Sequence, residues 1–264
     1  MRKTTLLIVN SLSLIFALVL NGLQGSALFG GKTIGEVSAR YDSLFAPAGY
    51  AFAIWGVIYL FLILFVGYQW YGWLRRGDDF ELRQTSLWFA LANVANGLWV
   101  VAWLNDYIAF SVLLIFTLLL SLIMLTIRLR LEVWDAPLRI ITFVWWPIVF
   151  YLGWIVAASV ANVAAWLVSI GWDGGFLSPP TWTVIMIALA MLIYLVLLFT
   201  RNMREAALVG IWAFVAIAVR QSGSYDSISY AAIVAAGVLF LMVSWHGYQN
   251  RDTSPLKKWQ RKEI

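Results

Sequence analysis

Eight long apolar runs govern what this chain can fold into. They cover residues 6–23, 50–70, 87–104, 108–127, 140–166, 182–199, 206–219 and 228–245, each bounded by charged or turn-forming residues. Most approach the roughly 20 residues that a helix needs to cross a hydrocarbon core. Lipid offers a backbone amide or carbonyl no partner, so each run must satisfy its own hydrogen bonds, as a helix does. Membrane β-strands are shorter and alternate in polarity, which these runs do not. The expected fold is all-α: a polytopic integral membrane helix bundle of about eight transmembrane helices.

Composition excludes several kinds of chemistry. At 62% hydrophobic and 12% charged, the chain is no ordinary soluble domain. Without cysteine it has no disulfide, no thiolate metal site and no cysteine nucleophile. The one histidine, His246, closes the last run beside Trp245; it cannot build a histidine-rich metal centre and is expected at the membrane interface. The net charge of +5 reports topology rather than nucleic-acid binding. If all eight runs cross, 15 of the 18 Lys and Arg residues fall on the side of the two termini, leaving Lys32, Arg40 and Arg220 opposite. That asymmetry places both termini in the cytoplasm. Losing the short seventh run would exchange the side of the tail and spoil it. Arg2 and Lys3 ahead of an apolar run that ends near Gly22, Gly25, Ser26 and Ala27 also resemble a secretory signal, but the run is long for one, and a retained helix is expected. Arg220 is expected to snorkel at the outer end of the seventh helix.

Polar and aromatic residues converge on the outer side. The loop 25–48 is the longest outside connection; its glycines, Tyr41, Phe45 and Pro47 suit a lid over a membrane cavity. Helical spacing aligns Phe52, Trp55 and Tyr59 on the second run, Ala92, Asn96, Trp99 and Trp103 on the third, and Tyr151, Trp154, Ala158 and Asn162 on the fifth. Chain direction puts these faces in the outer half, where three of them can line one cleft. Amides in lipid need partners, so Asn96 and Asn162 should point inward, to another helix or to a ligand. Flat aromatic walls suit a large, planar, mainly apolar ligand. Tryptophans also concentrate at membrane interfaces whatever the function, and Ala157, Ala161 and Ala165 form a ridge suited to helix packing.

At these residues the chain resembles the TspO/MBR family of tryptophan-rich sensory and translocator proteins. Residues 47–59, PAGYAFAIWGVIY, resemble the family's proline-bearing start of the second helix followed by Trp-x-x-x-Tyr, here Trp55 and Tyr59. Asn96 to Trp99 resembles its Asn-x-x-Trp motif, and residues 151–162, YLGWIVAASVAN, resemble its fifth-helix pattern. The resemblance covers about residues 1–170. It implies a five-helix bundle over 1–172, with three further helices and a basic cytoplasmic tail over 173–264. It also implies a pocket beneath the first loop for porphyrins or steroid-like and isoquinoline compounds, and a link to tetrapyrrole and stress signalling. By motif position it makes Trp55, Asn96, Trp154 and Ala158 pocket residues; with Pro47, Tyr59, Trp99, Tyr151 and Asn162 they are the candidate ligand-binding residues. The loop departs from the family's paired prolines and tryptophan, reading Leu44, Phe45, Ala46, Pro47, and the usual Pro-Tyr pair is Phe150 and Tyr151.

The expected function is a membrane receptor or sensor for a planar hydrophobic ligand such as a porphyrin or another tetrapyrrole, with no obligatory cofactor. A transporter of a small hydrophobic compound is the alternative, although no repeat and no intramembrane ion relay stands out. A retinal protein is excluded because every lysine lies outside the runs. No paired carboxylates, metal site or nucleophile triad marks an enzyme, and Ser159 has no histidine partner in sight. The partners expected are the lipid bilayer, a hydrophobic small molecule and a second copy of the chain in a homodimer, with no nucleic acid. The expected location is a bacterial inner membrane.

Overall fold

The computed structural model of the protein describes residues 3–76 and 80–261. Asp78 and Ile264, expected on the cytoplasmic side with Arg2 and Lys262, lie outside the described residues. Eight long helices make up the bundle: α1 (Lys3–Gly22), α2 (Ile54–Tyr71), α3 (Trp88–Leu104), α4 (Ile108–Arg128), α5 (Trp146–Ser169), α6 (Pro179–Arg201), α7 (Arg204–Gln221) and α8 (Asp226–Gln249). Shorter helices include Ile34–Arg40 in the first loop, Phe80–Thr85 before α3 and Pro255–Gln260 after α8. No strand occurs among the described residues. The protein is a polytopic, all-helical integral membrane protein.

Among the described residues, six helices are long and apolar enough to cross a membrane by themselves; α3 and α7 are not among them. Their position explains why. α3 has only 17 residues, but 12 of them are buried. α7 carries Arg204, Glu205 and Arg220 at its ends and buries Ala206, Ala207, Gly210, Ala213, Phe214, Ala216 and Ile217 along its length. A helix with most of its surface packed against protein and one apolar face outward, Leu91 to Leu98 on α3 and Leu208 to Val219 on α7, depends less on full lipid-matching length and continuous apolarity. Of the most apolar stretch of α5, 78% is buried, against 28% of that in α6, so α5 is central and α6 peripheral. The exposed Leu192 and Val196 of α6 and Phe240 and Leu241 of α8 form the surface offered to lipid.

Local sequence sets the helix ends. Ser178 caps α6, its side chain accepting from the Thr181 amide, and Pro179 occupies the first turn, where a missing N–H costs nothing. Asn202 ends α6 in the left-handed conformation, with φ 57°. Ahead of α5 the backbone widens into a π-helical stretch, Ile141–Trp145. Pro147 follows and lacks the N–H that would bond the Phe143 carbonyl, so the regular ladder cannot run through that turn.

The eight helices alternate in direction. At one end Lys32 of the first loop pairs with Asp106 of the α3–α4 turn, and Arg220 at the end of α7 pairs with Asp42 of the loop. At the other end Arg128 donates to the Gln84 carbonyl at 2.8 Å and Asn202 to the Glu132 carbonyl at 2.8 Å. We call these the lid end and the basic end.

Oil-like lipid gives apolar helices little reason to associate, so close approach of backbones and buried hydrogen bonds must hold the bundle. α1 is tied in by Asn10, which donates to Gln69 of α2 at 3.0 Å, and by Asn21, which donates to Asn96 of α3 at 2.8 Å. α5 and α7 meet at Gly153, where a Cβ would stand 2.9 Å from the Ala206 Cα. The Tyr194 hydroxyl of α6 donates to the Gly153 carbonyl at 2.8 Å, and its ring lies over Gly210 of α7. One hydrophobic core runs through all of these helices, the last three included.

Candidate functional site

Beneath the first loop, at the lid end, α2, α3, α4, α5 and α7 enclose a cavity of about 40 Å³. Seven of the nine residues singled out from the sequence line it: Pro47, Trp55, Asn96, Trp99, Trp154, Ala158 and Asn162. Phe52 and Trp103, aligned with them by spacing, also line it. Tyr59 and Tyr151 do not. They stand behind the wall and position it: the Tyr59 ring stacks on Trp55 at 5.3 Å and 20°, and Tyr151 meets Trp55 edge-on at 5.8 Å.

The two buried amides bond to other helices, one of the two roles that the sequence left open, and both line the cavity. Asn162 accepts from the Trp99 indole at 2.7 Å and donates to the Ser111 hydroxyl at 2.8 Å, so it joins α5 to α3 and α4 while facing the cavity. Asn96 Oδ1 accepts from Asn21 at 2.8 Å and from the Tyr59 hydroxyl at 3.0 Å. With both donors on Oδ1, the amide orientation is decided and Nδ2 points elsewhere. The Trp55 indole Nε1, though buried, has no partner, and the buried Asn96 Nδ2 makes no well-formed bond, its near polar neighbour being the Tyr151 hydroxyl. Each such donor costs about 1–3 kcal/mol where neither water nor protein meets it.

The rest of the wall is apolar and aromatic. Trp99 and Trp103 stack at 5.4 Å and 17°, and Phe52 and Trp55 meet Trp154 edge-on. Ala157, Ala161 and Ala165, expected to serve packing, line the cavity as well. Sequence reasoning missed Ile115 and Leu118 of α4 and Ala213 and Ile217 of α7. The last pair sits four residues apart on one face, but nothing in that spacing says which helix it faces. A second, larger cavity of about 390 Å³ adjoins at the lid end, reaching Trp172, Pro179 and Trp182. Phe45, only 2% exposed, and Ser43 line both, so the Phe45 ring stands between them.

The lid is strapped on two sides. On one, Asp106 accepts from Lys32 at 2.9 Å, Arg40 at 3.0 Å and the Tyr41 hydroxyl at 3.1 Å, while the Trp103 indole donates to the Ile34 carbonyl. On the other, the Ala48 amide donates to the Ala216 carbonyl, Gln221 to the Leu44 carbonyl at 2.9 Å and Trp212 to the Ala51 carbonyl at 3.1 Å. Arg220 completes this side through Asp42 at 3.3 Å; it is a strap of the lid rather than a free snorkelling chain. Inside the lid, Thr33 and Glu36 form a capping box that starts Ile34–Arg40.

Burial would raise the Asp106 carboxyl, but the hydrogen bonds from Lys32 and Tyr41 and the charges of Arg40 and Lys32 outweigh it and hold the group below its ordinary value. The strap is therefore present at all pH values above the usual carboxylate range of about 4 and is lost only as pH falls through the lowered pKa. Asp106→Asn is expected to loosen the lid at neutral pH, read as several-fold faster cleavage of loop 25–48 by added protease. Unchanged cleavage would mean that the α7 side alone holds the lid.

His246 lies in the last turn of α8, turned into the protein rather than exposed. It is 6% exposed and bonds to Asn202 and Asn250 at the basic end. Ser159 donates within its own helix, to the Ile155 carbonyl at 2.7 Å. No group of three or more His, Cys, Asp or Glu placed to hold a metal ion occurs among the described residues.

Comparison with curated proteins and with solved structures returned no match. A family model does match: the one described as TSPO-like protein aligns with residues 7–245, which takes in α6 and α7 and most of α8 as well as the first five helices. With an aromatic cavity under a strapped first loop and a family match along most of its length, the chain belongs to the TSPO-like protein family.

Proposed function

We propose that this protein is a membrane receptor that binds a planar, mainly apolar small molecule bearing a hydrogen-bond acceptor at its edge, in the cavity beneath the lid. The observation that carries this reading is the set of buried polar groups without a well-formed partner on the lining, Trp55 Nε1, Asn96 Nδ2 and Ser43 Oγ, in a wall otherwise made mostly of aromatic rings, alanines and aliphatic chains. An apolar plane packs against the indoles; an acceptor on its rim, such as a carbonyl, carboxylate or ring nitrogen, meets the two N–H groups. A tetrapyrrole has both features.

The cavity as it stands has room for about three water-sized groups. A tetrapyrrole enters only if the lid lifts and Phe45 swings aside. Binding is thus coupled to breaking the Asp106 and Arg220 straps, and the position of the lid becomes the signal that a sensor needs. The basic end, with 15 of the 18 Lys and Arg residues counted from the sequence, faces the cytoplasm in this reading and the lid faces outside. Reporter fusions at 78 and 264 are expected to report cytoplasm and one at Lys32 the outside; a tail found outside defeats the eight-crossing topology.

The functional test is a titration of purified protein with protoporphyrin, haem and a carotenoid, read by tryptophan fluorescence. Saturable quenching by at least one is expected. Trp55→Phe keeps an aromatic face but loses the N–H with the indole's five-membered ring, so affinity should fall at least roughly five- to tenfold, about 1 kcal/mol or a little more. No saturable quenching by any of them sinks the reading, and uptake of the same compound into proteoliposomes would make the protein a carrier.

A further inference from the structure

At the basic end, far from the lid, a cavity of about 210 Å³ opens between the α4–α5 loop, the start of α7, the end of α8 and the helix Pro255–Gln260. Its ionisable lining is Glu132, Asp135, Arg204, Glu205, His246 and Lys258, and Trp134 and Trp145 form an aromatic wall, edge to face at 5.6 Å. Glu132 is 8% exposed and His246 6%. Glu132 Oε1, Glu205 Oε2 and His246 Nδ1 are buried with no protein partner.

Hydrogen-bond geometry decides what His246 offers. Asn202 Nδ2 donates to the Glu132 carbonyl at 2.8 Å, so its Oδ1 is the acceptor that lies 3.1 Å from His246 Nε2. Nε2 therefore carries the proton and Nδ1 is a bare acceptor. Asn250 Nδ2 does not need the ring, since it donates to the His246 carbonyl at 3.0 Å. Three buried acceptors thus stand without donors, against one unpartnered donor, Arg204 Nε. Charge has the same sense. Lys258 pairs with Asp135, which leaves Glu132 and Glu205 facing Arg204, one carboxylate in excess. A buried carboxylate without a counter-charge is too unfavourable to persist; it takes up a proton or a cation.

We propose that this cavity binds a small organic cation of the amine class, its N–H groups donating to Glu132 and Glu205 and its methylenes lying against Trp134 and Trp145. An ammonium supplies several donors and one positive charge, and indole faces attract cations as well as alkyl chains. Without the amine, burial foremost and then the neighbouring Glu205 raise the Glu132 carboxyl well above the usual range, against the opposing Arg204. Glu132 then holds a proton that an arriving amine displaces to solvent. Affinity rises with pH for as long as that proton must leave, by up to about tenfold per unit. The lid cavity takes no part, so this proposal stands or falls independently of the receptor reading.

The test is isothermal titration of putrescine into the full-length protein in detergent, at pH 6, 7 and 8 and constant ionic strength, in two buffers of different ionisation heat. Saturable binding is expected, tighter at pH 8 than at pH 6, with an enthalpy that depends on the buffer because a proton is released. Glu132→Gln and Glu205→Gln, each verified as monodisperse, are expected to bind at least tenfold more weakly, and Glu132→Gln to lose most of the pH dependence. Absence of saturable heat at pH 8, or wild-type affinity in both variants, overturns the proposal and leaves the surplus charge to a proton alone.

Discussion

Replacing Ala158 with Leu is expected to weaken binding of a tetrapyrrole or similar planar ligand by about tenfold to a hundredfold while the bundle stays folded. Ala158 lines the lid cavity beside Trp154 and Asn162. Leu adds three carbon atoms, each about the size of a water, and a cavity of about 40 Å³ holds roughly that many. The new side chain therefore occupies the starting volume of the site without forcing the helices apart. The ligand must then displace it, and overpacking of this kind costs about 1–3 kcal/mol, with 1.4 kcal/mol equal to a factor of ten in affinity. Ala188→Leu is the control: Ala188 is exposed on α6, where lipid tails adapt to the added volume. If Ala158→Leu quenches as tightly as the parent, the ligand does not occupy this cavity.

Gly153→Val is expected to be the most damaging single change, costing more than about 3 kcal/mol and separating α7 from α5. A Cβ at Gly153 would lie 2.9 Å from the Ala206 Cα, 3.1 Å from the Ala206 carbonyl oxygen and 3.1 Å from the Val209 Cβ. Two of these are backbone atoms, which cannot rotate aside as the end of a flexible side chain can. Valine adds two methyl groups beyond that Cβ. Pushing α7 away removes Ala213 and Ile217 from the cavity wall and strains the bond from Tyr194 to the Gly153 carbonyl. Ligand binding should therefore be lost together with stability, read as a lower melting temperature and faster proteolysis of the linkers around α7. Gly67→Val is the comparison, since a Cβ there meets nothing within 4 Å and the residue is exposed on α2. Equal melting temperatures for the parent and Gly153→Val would mean that α5 and α7 do not pack as described.

The same two sites show how far sequence alone reaches. Helical spacing put Trp154, Ala158 and Asn162 on one face, because register within a helix follows from its fixed rotation per residue. The lipid environment likewise required Asn96 and Asn162 to turn inward, and both are buried and bonded across helices. Register says nothing about which helix stands opposite. Ala213 and Ile217 were legible only as two apolar residues on a short, doubtful run, whereas in the bundle they close the cavity. Tyr59 and Tyr151 shared the right stripe, yet each ended one layer behind it, since a stripe marks a direction and not a depth.

What the sequence determined by itself was therefore the part set by local chemistry and by solvent: eight apolar helices, their alternation, the inward amides and the basic asymmetry of the two ends. What only the tertiary structure decided was everything that depends on the gap between helices. The size of the lid cavity, the straps joining Asp42 to Arg220 and Lys32 to Asp106, and the meeting of Glu132, Glu205 and His246 at the basic end all join residues far apart in the chain. Such encounters follow from how closely backbones approach at positions such as Gly153. That distance is a property of two interlocked surfaces, and neither helix carries it in its own sequence.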